Sequence, residues 1–156
     1  MPIVSLQEIK DRSAELRRLK GRISETVASR GAEWRAACAE FHARFDELVY
    51  PGGDAGLEAV RSGDPAAVEN AIRFLVADPY HFRSGYIKEY LWRWLRHVEL
   101  SRNKKSRLAE AGLAYLERPA SREFWVMANA MRGLAEPSFW LRVTNKVALG
   151  GAVGAR

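Results

Sequence analysis

Cys38, His42 and Asp46 stand four residues apart, so on a helix they line one side. A thiol, an imidazole and a carboxylate are the parts of a nucleophilic site. Working triads, however, bring these groups from separate elements, where a strained turn or a helix N-terminus activates the nucleophile. A mid-helix thiol among Trp34, Phe41 and Phe45 reads more simply as a small packed hydrophobe. A metal site is also short of parts. Cys38 and His42 offer two ligands, zinc wants three or four, and His81 and His97 have no spacing that recruits them. Glu15, Glu25, Glu33 and Glu40 have basic neighbours and read as a solvated face. The chain has no G-x-x-x-x-G-K-[ST], G-x-G-x-x-G, G-x-S-x-G, H-E-x-x-H or C-x-x-C. We therefore expect no catalytic residue, no metal, no cofactor and no enzyme.

Basic residues interleaved with aromatics are the stronger signal. They centre on residues 83–98, RSGYIKEYLWRWLRHV. There Ile87, Tyr90, Leu91, Trp94, Leu95 and Val98 follow the spacing of one helix face and form the expected core stripe. Lys88, Trp92 and Arg96 line one flank, and Tyr86, Glu89, Arg93 and His97 the far side. Arg102, Lys104, Lys105 and Arg107 open the following helix. Lysines and arginines in this pattern neutralise phosphates, and Trp92 could stack on a base. The competing reading, which we prefer, has Trp92 packed against an adjacent helix with the cations snorkelling around it.

These residues need a scaffold, and the sequence describes one. Its 156 residues suit one domain, and its 47% hydrophobic and 28% charged residues are ordinary for a globular protein. No apolar run approaches the roughly 20 residues needed to span a bilayer. The first residues, MPIVSLQEIKDR, show no basic segment followed by an apolar one, so no secretory signal is expected. Cys38 is the single cysteine, which excludes an intramolecular disulfide and fits a reducing cytoplasm. The net charge is +6, unevenly spread. Residues 1–50 are nearly balanced, 51–79 are acidic, and the basic excess lies from Tyr80 onward. A basic half suits phosphate or an acidic protein.

Ser5 and Glu8 make a capping-box pattern, with Val4 and Ile9 placed as the staple. Behind them Leu6, Ile9, Ser13, Leu16, Lys20, Ile23 and Val27 follow spacings of three and four, a heptad-like seam. Ser29, Arg30 and Gly31 interrupt the pattern, which resumes with Trp34, Cys38, Phe41, Phe45, Leu48 and Val49 until Pro51-Gly52-Gly53 ends it. Residues 1–50 thus hold one long helix or a helical hairpin. The short interruption favours one bent helix.

Shorter units follow. Asp54 is placed to cap one helix. Asp64-Pro65 starts another as N-cap and N1. Ser84, Ser101 and Ser121 are placed as further caps, and Glu136-Pro137 opens the last helix, with Phe139, Trp140, Val143 and Val147 as its stripe. Gly150, Gly151 and Gly154 read as a flexible tail over 150–156. No segment alternates as a strand does. The expected fold is all-α: a long N-terminal helix or helical hairpin, then a compact antiparallel array of short helices over 54–149.

The segment GDPAAVENAIRFLVADP resembles the first helix of a HEAT-type repeat, and SGYIKEYLWRWLRHV resembles its partner. The likeness covers about one repeat, residues 64–98. Beyond Ser101 only helix length and rhythm match, without a clean period of about 40 residues. It implies a helical repeat that presents a binding surface.

The function expected is a non-enzymatic helical interaction module, a protein–protein scaffold or small subunit of a larger complex. The seam Leu6, Ile9, Leu16, Ile23 and Val27 would carry a protein partner or self-association. The alternative is a small basic subunit that binds RNA or DNA backbone through Lys88, Trp92, Arg96, Arg102, Lys104, Lys105 and Arg107. No membrane partner is expected.

Overall fold

The computed structural model describes residues 1–153, which are all-helical with no strand among them. Two compact units divide the chain, Met1–Lys88 and the remainder from Glu89. The boundary falls inside one helix.

The first unit holds α1 (Leu6–Thr26), α2 (Ala32–Val49), α3 (Gly53–Arg61), α4 (Pro65–Ala77) and the first turn of α5 (Ser84–Leu95). Ser5 starts α1 by accepting the Glu8 N–H at 3.0 Å. Val4 and Ile9 are buried around that cap, as a staple requires. Of the two expected alternatives the hairpin is the one formed, not the favoured bent helix: α1 and α2 run antiparallel. The helix stops after Thr26, and Arg30 takes a left-handed φ of 44° before the extended Gly31. A left-handed arginine costs roughly 1–2 kcal/mol. In return Ile9, Leu16 and Leu19 of α1 are buried, as are Ala37, Phe41 and Leu48 of α2. Each large side chain so buried is worth about 1.5–3 kcal/mol, so the reversal wins.

A ladder of ion pairs runs along one edge of the hairpin. Arg18 meets Glu15 at 2.8 Å and Glu40 at 3.8 Å. Arg44 meets Glu47 at 3.3 Å and Glu15 at 3.9 Å. Arg22 also reaches Glu40, and Arg12 donates to the Glu47 carbonyl at 3.0 Å. The Arg18 guanidinium bonded to Glu15 holds that carboxyl below its ordinary range.

Asp64 accepts the Ala67 N–H at 2.8 Å, and Pro65 occupies the first turn of α4. Asp54 does not cap α3. Gly52 precedes that helix in a left-handed conformation, φ 78°, and Asp54 lies in its first turn. Asn70 of α4 is fully buried and fixes the amino end. Its Oδ1 accepts from Val4 N and its Nδ2 donates to Pro2 O, both at 2.9 Å.

The second unit holds the rest of α5, then α6 (Arg102–Ala114), a 3₁₀ turn (Tyr115–Glu117), α7 (Arg122–Leu134) and α8 (Pro137–Val153). Ser101 and Ser121 cap α6 and α7, accepting from Lys104 N and Phe124 N. Leu108, Leu113, Tyr115, Met127, Met131, Leu134 and Phe139 are buried in it beside Leu91, Trp92 and Leu95 of α5. Gly112 permits the packing of α6, since a Cβ there would stand 3.2 Å from Met127 Sδ and 3.6 Å from the Phe139 ring. Gly150 and Gly151, expected in the tail, belong to α8, and Gly154 lies outside the described residues.

Candidate interaction surface

The buried face of α5 is rotated from the expected stripe. Ser84, Ile87, Lys88, Leu91, Trp92 and Leu95 keep helical spacing one register over, and Glu89, expected on the far side, is buried too, paired with Arg93 and Arg122. Tyr90 and Trp94, expected in the core, stack on each other at the surface, centroids 5.6 Å apart and 13° from parallel. Trp92 is 0% exposed; its indole N–H donates to Tyr115 Oη at 3.4 Å, and the rings meet edge to face. A ring so enclosed cannot stack on a base. Lys88 is also buried and donates to Asp78 at 2.6 Å. Burial thus takes both residues out of the alternative phosphate-binding set, and Trp92 is packed inside, as the preferred reading expected. The Ser84 hydroxyl likewise turns away from capping α5 and bonds the His81 backbone.

The remaining basic residues stay nearer the surface without forming a single-sign patch. Arg96 is exposed, and Lys104 and Arg107 are half-buried. Arg102 reaches Glu136 at 3.4 Å. Arg102, Lys105 and Arg142 share a cleft of about 180 Å³ with Glu110 and Glu136, so its charge is mixed. Four cations in the first turns of α6 also oppose the positive end of its dipole.

The N-terminal seam is corrected too. Ile9 and Leu16 lie in the first unit's own core, because the hairpin closes over them. Leu6 is 40% and Val27 44% exposed, at opposite ends of α1, with Ile23 half-buried between them. No continuous apolar stripe is left there for an outside partner. On α2, Cys38 is half-buried, while His42 and Asp46 are exposed. Among the described residues no cluster of three or more His, Cys, Asp or Glu is placed to hold a metal.

The surface that sequence reasoning missed is α8. Of its apolar stripe only Phe139 is buried and Val143 half-buried. Trp140 is 40%, Leu141 64%, Val147 61% and Leu149 69% exposed. Beyond Phe139, two ion pairs tie the helix down. Arg142 donates to Glu110 through both guanidinium ends, and Lys146 pairs with Glu117. These bonds hold both carboxyls below their ordinary range. Surface pairs of this kind are worth about 0–1 kcal/mol each and weaken with salt. The signal was present in the sequence: Leu141 and Leu149 fall outside the single stripe that one docked face can bury.

No helix among the described residues is long and apolar enough to cross a membrane. No known family model matches the chain, nor does any curated protein or solved structure.

Proposed function

We propose that the protein is a non-enzymatic helical interaction module whose α8 is gripped by a protein partner. The observation that carries this reading is the exposure of Trp140, Leu141, Val147 and Leu149 on one helix. Large apolar side chains concentrated in one exposed element mark interaction sites more often than isolated ones do. They lie on more than one side of α8, which suits insertion of the helix into an apolar groove. Trp140 and Val147, seven residues apart, share a side and would be its anchors. The weak ion pairs behind them leave the helix free to adjust to such a groove.

The test is photo-crosslinking from position 147 in cells, with position 10 on the exposed side of α1 as control. A discrete adduct from 147, absent from 10 and lost in Trp140→Glu, is the expected result. A second copy of the chain in that adduct would identify self-association. Equal patterns at both positions, or no adduct from 147, would remove the proposal.

A further inference from the structure

Residues 79–82 join α4 to α5, bracketed by two non-glycine residues in the left-handed region, Asp78 at φ 47° and Arg83 at φ 69°. Such backbone persists only where its surroundings hold it. Here they do. Ser84 Oγ accepts from His81 N at 3.1 Å and donates to His81 O at 2.9 Å. His81 Nδ1 bonds Phe82 O at 2.9 Å. Arg17 Nη1 and Ser13 Oγ donate to Tyr80 O at 2.8 and 3.1 Å. Lys88 anchors Asp78.

This strained, clamped loop exposes aromatic rings. Tyr80 is 79% and Phe82 53% exposed, with Tyr86 at 53% on the adjoining turn of α5. Folding gains nothing from displaying such rings, since burial is what stabilises them. Phe82 rests its ring near Phe41 and Phe45, at centroid distances of 6.2 and 6.0 Å. Lys20 Nζ lies 5.6 Å from the centre of the Phe82 ring. Cations frame the loop. The glutamates of the hairpin ladder are engaged by Arg12, Arg18, Arg22 and Arg44. Arg17, Lys20 and Arg83 make no ion pair with a carboxylate among the described residues. The loop's own acid, Asp78, is neutralised by Lys88.

We infer that this loop is a stacking platform for single-stranded nucleic acid. Tyr80 and Phe82 receive bases, and Arg17, Lys20 and Arg83 receive the adjacent phosphates. Exposed rings on a clamped backbone, beside cations without carboxylate partners, match a ligand that alternates flat apolar faces with charges. An acidic peptide would use the cations and leave the rings idle, and a duplex hides its base faces. The site lies wholly within the first unit and goes beyond the docking of α8, so either reading stands if the other fails.

The test uses the full chain and a fluorescein-labelled oligouridylate of roughly 12 nucleotides, read by anisotropy near 50 mM salt. The wild type should bind it. Tyr80→Ala should weaken binding roughly 5- to 150-fold, the loss of one base stack, with an unchanged thermal midpoint. Lys20→Gln combined with Arg83→Asn should flatten the log–log salt slope by about 1.4, or 0.7 for each lost phosphate contact. Asparagine is used at 83 because it tolerates the left-handed backbone. Absence of binding, full affinity in Tyr80→Ala, or a duplex bound as tightly would overturn the inference. Displacement by polyglutamate as effective as by unlabelled oligouridylate would also overturn it, in favour of an acidic protein partner.

Discussion

Replacing Trp92 with alanine separates a core residue from a nucleic-acid contact. The ring is fully buried. A tryptophan buries about 150–250 Å², worth about 4–6 kcal/mol at 25 cal/mol per Å². Alanine retains some of that area and the cavity partly collapses, which brings the expected cost to about 3–5 kcal/mol. The indole bond to Tyr115 is long at 3.4 Å and contributes less than about 1 kcal/mol of this. A domain is stable by about 5–15 kcal/mol, so the variant should lose about a fifth of its margin or more. Urea unfolding followed by circular dichroism measures the loss, with Trp92→Phe as a milder control that keeps an aromatic edge beside Tyr115. In a chain whose other tryptophans, at 34, 94, 125 and 140, are phenylalanine, Trp92 should also resist quenching by acrylamide. A cost below about 1 kcal/mol together with ready quenching would refute the assigned burial and return Trp92 to the surface.

Two glycines should respond to alanine with opposite signs, read as thermal midpoints. Gly21 has nothing within 4 Å of a new Cβ, so Gly21→Ala should stabilise α1 by about 1 kcal/mol. In Gly56→Ala the same propensity gain is overwhelmed, because the Cβ would collide with the Pro51 carbonyl oxygen and its carbon at 3.2 Å, and the protein should lose stability. His81 gives a pH dependence. Burial lowers its pKa below the ordinary 6.5, with Lys88 and Arg17 adding to the effect. The unfolded chain therefore binds that proton more readily. The contribution of neutral His81 is complete above about pH 6.5 and is lost as pH falls towards the folded value. Urea midpoints at about pH 7.5 and 5.5 should fall less in His81→Gln than in the wild type, and an equal fall would contradict the assignment.

The caps at Ser5, Asp64, Ser101 and Ser121 were legible because a cap needs only residues three positions away. Asp54 and Ser84 looked equivalent and are not. Gly52 occupies the turn before α3, and the Ser84 hydroxyl is already committed to His81. Periodicity gave α5 a wide apolar arc but not the edge that faces inward. Seven positions could fill that arc, and the choice of Trp92 over Tyr90 and Trp94 rests on tertiary partners such as Tyr115. The same spacing fits a continuous helix and a hairpin, so α1 and α2 could not be told apart from it. Asn70 and Lys88 were illegible as buried residues, since their polarity argues for water until Val4, Pro2 and Asp78 supply bonds. The exposed anchors on α8 and the rings at 80 and 82 were visible as residue types. Their surroundings decided that they remain uncovered.

The ion-pair ladder of the α1–α2 hairpin contributes little by strength, since each rung is partly exposed. Its pattern matters in another way. Glu15 faces Arg44 at 3.9 Å across the hairpin. Sliding α2 by one turn, four residues, would set Glu15 opposite residue 44 − 4 = 40, another glutamate, and Glu8 would approach Glu47 in the same slip. Apolar seams of repeating three-four spacing tolerate sliding, because one leucine or phenylalanine replaces another with little penalty. Those two slipped pairings would be repulsive, so the charges weigh against that slip of the hairpin, whose helices are joined by the five residues 27–31.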